Sequence, residues 1–147
     1  MRFIFFLILL LAQPQEPWFG TWKLNLEKST AGRDVRFKRG TSKIEPWQDG
    51  LKVTYDLVGT RGGATHMEWI GKFDGKDYPV QGVDYVLTNA YSRIDGRSYQ
   101  IISRIDGVVT ATAKVEISPD GKTLTTLTTG NNAQGKTLTT TAVYERQ

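Results

Sequence analysis

Hydrophobic and polar residues alternate along most of this chain with a period of two, as in a β-strand with one buried face. Between Leu51 and Leu57 the odd positions are apolar and the even positions are polar. Residues 109–117 alternate in the same way, with Val, Ala and Ile separated by Thr, Lys and Glu. The pattern predicts about ten strands, at 20–25, 37–45, 51–58, 65–73, 76–80, 84–94, 98–105, 108–117, 123–129 and 136–146.

Short turn signals separate these segments. An Asp-Gly pair begins at each of Asp49, Asp74, Asp95, Asp106 and Asp120. Both residues tolerate positive φ, which makes this dipeptide a strong signal for a tight hairpin. Consecutive hairpins form a meander, and closing a meander into a barrel removes its exposed edges. We therefore predict an all-β protein, an antiparallel up-and-down meander closing into a barrel of about 8–10 strands.

The N-terminus differs from the rest of the chain. Residues 3–11 form an unbroken apolar run, which is too short to span a bilayer because that requires about 20 residues. The run suits a secretory signal peptide, although Leu10 occupies a position where a small residue is preferred. We predict a signal peptide at 1–12, with cleavage as late as residue 17, and one domain at 18–147. The predicted location is periplasmic or extracellular; an uncleaved anchor and a cytosolic protein are the alternatives.

Composition excludes several kinds of site. The 147 residues include no cysteine, which rules out disulfides, thiolate metal sites and a cysteine nucleophile. The single histidine, His66, shares its strand face with Glu68 and Lys72, so we expect an exposed residue. A histidine-based metal site needs two or three such ligands. With no nucleophile–base combination visible, we expect neither catalysis, nor a metal, nor a cofactor.

The net charge of +4 is unevenly distributed. Basic residues cluster between Lys28 and Lys43, where Asp34 is the only acidic residue. Such a cluster could contact an anionic surface, whereas the simpler interpretation is a solvated strand and loop. We expect a monomer with no nucleic-acid partner. The candidate surface contacts are Arg33, Arg36, Lys38 and Arg39.

One face of each strand is predicted to line the barrel interior. If the face carrying Trp22 and Leu24 points inward, alternation places Tyr55, Trp69, Phe73, Tyr85, Tyr91, Arg93, Tyr99, Ile101 and Tyr144 inside as well. Five tyrosines and one arginine are more polar than a filled core requires, because buried polar groups need partners. A cavity holding a small amphipathic molecule would supply them. Alternatively, the aromatic residues fill the barrel and Arg93 faces outward. The predicted ligand contacts are Tyr55, Trp69, Tyr85, Arg93, Tyr99 and Tyr144.

The two ends of the predicted domain resemble a known superfamily. The first strand begins with a Gly-x-Trp motif, Gly20-Thr21-Trp22, and the last strand ends with Val143-Tyr144-Glu145-Arg146. Together these resemble the calycins, the superfamily of lipocalins and fatty-acid-binding proteins. There the tryptophan packs at the closed end of the barrel, and in lipocalins a late basic residue lies against it. The resemblance implies structural roles for Gly20, Trp22 and Arg146, with a cation–π contact between the last two.

A closer resemblance is to small secreted bacterial lipocalin-like proteins, through residues 20–25, 74–80 and 143–145. Fatty-acid-binding proteins hold a carboxylate with an Arg-x-Tyr pair, and here Ala142 replaces the arginine beside Tyr144. Their helical lid has no counterpart either, because residues 26–35 are too few. We therefore expect a carrier of a small, partly apolar ligand. The ligand could be anionic, because Arg93 could pair with a negatively charged head group. The alternative is an envelope or extracellular interaction or inhibitor protein with a side-chain-filled barrel, acting through its loops and the basic cluster.

Overall fold

The computed structural model describes residues 15–29, 37–131 and 134–147. The predicted signal peptide and the basic residues Arg33 and Arg36 lie outside these ranges, whereas Lys38 and Arg39 are exposed on the second strand. No helix in the described ranges is long and apolar enough to cross a membrane. These ranges contain ten strands: β1 (Gly20–Asn25), β2 (Phe37–Trp47), β3 (Gly50–Gly59), β4 (Ala64–Gly71), β5 (Asp77–Gln81), β6 (Leu87–Asp95), β7 (Ser98–Ile105), β8 (Val108–Ile117), β9 (Thr123–Asn131) and β10 (Thr137–Arg146).

The ten strands of the described ranges form one closed antiparallel barrel. Each strand pairs with its neighbours in sequence, and β1 pairs with β10 to complete the ring. In that closing pair, Trp22 lies opposite Arg146. Closure leaves no strand edge unpaired, which is the reason that a meander of this length curls into a barrel. The predicted all-β up-and-down barrel is confirmed.

Two predicted strands were too long. β4 ends at Gly71 instead of residue 73, and β6 begins at Leu87 instead of residue 84. After β5 the chain leaves the sheet at Gly82, which has a φ of +97° and lies so close to the carbonyl of His66 that a side chain would collide with it. Phe73 and Tyr85 therefore lie in connections between strands.

The Asp-Gly pairs reverse the chain by two different means. Only Asp106 and Gly107 both have positive φ, at 48° and 78°. At Asp74 and Asp120, the carboxylate instead accepts a hydrogen bond of 3.0 Å from the backbone N–H two residues later. This side-chain interaction mimics a backbone turn and lets only the following glycine take positive φ. At the first pair, Asp49-Gly50, the residue with positive φ is Gln48, which precedes the pair.

The connections alternate between the two ends of the barrel. We call the end containing 15–19, 48–49, 72–76, 96–97 and 118–122 the closed end, and the other the open end. Aromatic rings fill the closed end. Trp18 is fully buried and makes edge contacts with Phe73 and Tyr99, with ring centroids 5.2 and 5.3 Å apart. Tyr91 stacks on Tyr99 and on Trp69, with centroids 5.3 and 3.9 Å apart. Such pairs add stability beyond the apolar area that they bury.

Candidate functional site

The closed end is held together by the three residues of the Gly-x-Trp resemblance. The Arg146 guanidinium lies 4.3 Å from the Trp22 ring centroid and donates hydrogen bonds to the backbone oxygens of Pro17, Phe19 and Gly121 at 2.7–2.8 Å. Gly20 has a φ of +147°, and a Cβ there would collide with the same guanidinium. Only glycine fits this backbone and this close approach. These residues therefore stabilise the closed end and do not line the cavity described next.

The candidate site is a cavity of about 210 Å³ inside the barrel. Its wall comes from inward-facing positions on β3 to β9, and most of the side chains are apolar. It is partly open and occupies the half of the interior that the aromatic rings leave unfilled. The lining residues are Tyr55, Met67, Trp69, Val80, Leu87, Asn89, Ile101, Ser103, Ala111, Ala113, Thr126 and Thr128.

The cavity exists because inward side chains become smaller from the closed end toward the open end. On β8 the inward residues change from Ile117 and Val115 to Ala113 and Ala111. On β7 they change from Tyr99 through Ile101 to Ser103, and β9 shows the same trend from a leucine to two threonines. Side chains therefore fill the barrel interior toward the closed end, and a space remains toward the open end. The sequence carries this gradient, and it is the signal that indicates Ala111, Ala113 and Ser103 as cavity residues.

Polar atoms occupy a minority of the cavity wall. Ser103 Oγ donates to Asn89 Oδ1 at 2.7 Å, and Trp69 Nε1 donates to the backbone oxygen of Asn89 at 3.0 Å. Tyr55 is the titratable residue of the wall, and burial raises its phenol pKa. Its hydroxyl therefore remains neutral and able to donate or accept a hydrogen bond at physiological pH.

Of the six predicted ligand contacts, Tyr55 and Trp69 line the cavity. Tyr99 belongs to the aromatic cluster of the closed end and is only 1% exposed. Tyr144 is partly buried against the same core, and burial raises its pKa as well. Both face inward as predicted, but they lie outside the set of residues that lines the cavity.

Tyr85 and Arg93 correct the prediction. Tyr85 is 48% exposed in the connection before β6, because β6 begins three residues later than the alternation suggested. Arg93 has the inward parity of Tyr91, but it lies near the closed-end terminus of β6, and its side chain is 43% exposed. There it contacts Glu16 instead of the cavity. Alternation predicted the face of the strand on which Arg93 lies, but it could not predict the position of Arg93 along the barrel axis.

The single histidine lies on the outer face of the barrel. His66 is 62% exposed, as expected, and its Nδ1 lies 2.6 Å from a carboxylate oxygen of Asp56 on the neighbouring strand. In the described ranges, no three His, Asp or Glu side chains are arranged so that they could hold a metal ion. The pair is thus a cross-strand contact on the outer face, opposite the face that lines the cavity.

No protein-family model matches the sequence, and no curated protein matches it either. Solved structures are similar in fold. The zebrafish ileal bile-acid-binding protein, crystallised with cholic acid, aligns with a TM-score of 0.58 at 15% identity, over 89% of this chain and 99% of its own. The siderocalin Ex-FABP, described as functioning through dual ligand specificities, aligns with a TM-score of 0.46 at 13% identity, over 89% and 71%. With its ten strands closed into one antiparallel up-and-down barrel, the chain has the same fold as the zebrafish bile-acid-binding protein.

Proposed function

We propose that this protein binds a small, partly apolar molecule in the barrel cavity and catalyses no reaction. The observation that carries the proposal is the cavity itself, a concave and mostly apolar space with a few polar atoms, as in small-molecule sites generally. The zebrafish protein of the same fold was crystallised with cholic acid, which is consistent with a binding role for this chain.

The volume limits the size of the ligand. The cavity measures about 210 Å³. Sites for drug-sized ligands typically measure about 300–1,000 Å³. The ligand that we propose is therefore smaller, or it inserts only one end of a longer chain into the cavity.

The rival proposal, an interaction or inhibitor protein, assumed a barrel filled by side chains. The cavity favours binding over that rival. Export, a monomeric state and contact of Lys38 and Arg39 with an anionic surface remain proposals that rest on the sequence. N-terminal sequencing of the protein from its native host tests export, since a chain that begins at Met1 would contradict it.

Native mass spectrometry and an NMR titration with 1-octanol test the binding proposal. We expect a bound small molecule in the native spectrum, or shifts confined to cavity residues such as Ala111 and Ala113 on adding 1-octanol. Ala111→Leu should fill the cavity and abolish these shifts. Lys114→Leu, at an exposed position on the outer face of the same strand, is the control. Shifts that persist in Ala111→Leu, or that map to the outer face, would contradict the proposal.

A further inference from the structure

Resting on the binding function proposed above, we propose that the cavity selects uncharged ligands: amphiphiles with a hydroxyl, amide or ester group, in preference to carboxylates. The argument uses the charges around the cavity, the cost of burying an anion, and the hydrogen-bonding groups of the wall.

The described residues that line the cavity carry no charge at neutral pH. None of the twelve is Asp, Glu, Lys, Arg or His. Neighbouring charged residues occupy the alternate positions and pair with each other outside: Lys52 with Glu68 at 3.4 Å, and Arg104 with Asp77 at 2.7 Å. Strand alternation therefore separates the cavity from the charges of the same strands.

The arginines with inward parity are also unavailable to a ligand. Arg93 binds the carboxylate of Glu16 through both terminal nitrogens, at 3.1 and 2.6 Å. Arg146 donates to three backbone oxygens at the closed end. A carboxylate in the cavity would lose its hydration without gaining a cation. Burying an unpaired ion is strongly unfavourable, so the cavity disfavours an anionic head group.

The wall does provide hydrogen bonds for a neutral group. Asn89 accepts from Ser103 through Oδ1, while its amide nitrogen donates to no described residue. The hydroxyls of Thr126 and Thr128 likewise make no hydrogen bond to a described side chain or backbone atom. A hydroxyl or amide can both donate and accept, so such a group could bind either the amide of Asn89 or a threonine hydroxyl.

Three eight-carbon probes with the same tail test the inference: 1-octanol, octanamide and octanoate. In NMR titrations of the full chain at neutral pH, we expect 1-octanol and octanamide to bind at least ten-fold more tightly than octanoate. Octanoate binding as tightly as the uncharged probes would overturn the inference while leaving the binding function intact. If none of the three shifts the cavity residues, the binding function itself fails, and the inference fails with it.

A lysine introduced on the inner or on the outer face of β9 provides a second, matched test. Thr128→Lys adds a cation at a cavity position, whereas Thr129→Lys adds it at the next residue, which is exposed on the outer face. We expect Thr128→Lys to raise the affinity for octanoate relative to 1-octanol by at least ten-fold, and Thr129→Lys to leave the ratio unchanged. Equal effects of both variants would contradict selection by the cavity. The wild-type comparison decides the inference even if Thr128→Lys does not fold.

Discussion

Arg93 on β6 and Glu16, which precedes the first strand, form an ion pair with two hydrogen bonds, the shorter of which measures 2.6 Å. The same guanidinium lies 4.9 Å from the Trp18 ring centroid and 5.2 Å from that of Phe73. Hydrogen bonding to Glu16 raises the pKa of Arg93 further above its already high value. Arg93 thus joins the N-terminal segment to the barrel and covers the aromatic rings of the closed end.

Arg93→Ala is expected to leave the affinity for 1-octanol unchanged, because the side chain lies outside the cavity. The substitution should lower the unfolding free energy by about 1 kcal/mol, because the ion pair and the cation–π contacts of Arg93 are both partly exposed to solvent. NMR titration and urea denaturation measure the two effects. A marked loss of affinity would restore Arg93 as a ligand contact. A double-mutant cycle with Glu16→Gln isolates the pair from the ring contacts.

Trp22→Ala should lower the unfolding free energy by about 3–5 kcal/mol, the usual cost of truncating a fully buried aromatic residue. The change also removes the ring beneath Arg146 and the hydrogen bond from Trp22 Nε1 to the Trp18 backbone oxygen. Trp47→Ala is the control, because that ring is 38% exposed and its loss should cost about 1 kcal/mol or less. Equal destabilisation in both variants would contradict a special structural role for Trp22.

The folded domain should begin before Trp18. This residue is fully buried, and it packs against Phe73 and Tyr99 from outside the first strand. We expect a chain of residues 15–147 to fold as stably as a longer one, and a chain of residues 19–147 to be strongly destabilised. Thermal denaturation followed by near-ultraviolet circular dichroism measures the difference. Equal midpoints for the two chains would show that the N-terminal segment is dispensable.

Stability should fall at alkaline pH. Burial raises the phenol pKa of Tyr55, Tyr91, Tyr99 and Tyr144 in the folded chain. Unfolded tyrosine has a pKa of about 10. Because the folded values are higher, the stabilisation is complete below that pH and is lost as the pH rises above it and the unfolded chain ionises first. Phenolate absorbance should therefore rise cooperatively with unfolding. A gradual rise that precedes unfolding would contradict burial of these hydroxyls.

Tyr91→Phe tests the most enclosed of these hydroxyls. The Tyr91 hydroxyl is buried and makes no hydrogen bond of good geometry, although the Tyr55 hydroxyl lies close enough to interact with it. Removing a buried polar group without a partner relieves its desolvation cost. We expect Tyr91→Phe to be as stable as the wild type or more stable at neutral pH, and to lose less stability at alkaline pH. Destabilisation by more than about 1 kcal/mol would indicate a hydrogen bond worth that amount.

Several features of the molecule follow from the sequence by short-range physics. Period-two alternation depends only on the geometry of a strand, so it located all ten strands of the described ranges, and it placed Trp22, Trp69 and Tyr99 on the inner face. The Asp-Gly pairs marked reversals because Asp and Gly favour turn conformations locally. Closure of the barrel followed from the cost of unpaired strand edges. The resemblance to calycins rested on Gly20, Trp22 and Arg146, which lie in contact at the closed end of the barrel.

The position of each inward residue along the barrel axis was decided only by the tertiary structure. Alternation repeats every two residues, so it assigns a side chain to a face but does not say at which height neighbouring strands place it. For this reason Tyr55 and Trp69 line the cavity, whereas Tyr99 and Arg93 share their parity and lie at the closed end. The partner of Arg93 is Glu16, 77 residues away, and no local pattern relates the two. Local backbone geometry determined which face of the sheet each side chain occupies. The pairing of strands that are distant in sequence determined which of the inward side chains line the cavity, and therefore that the cavity wall carries no charge.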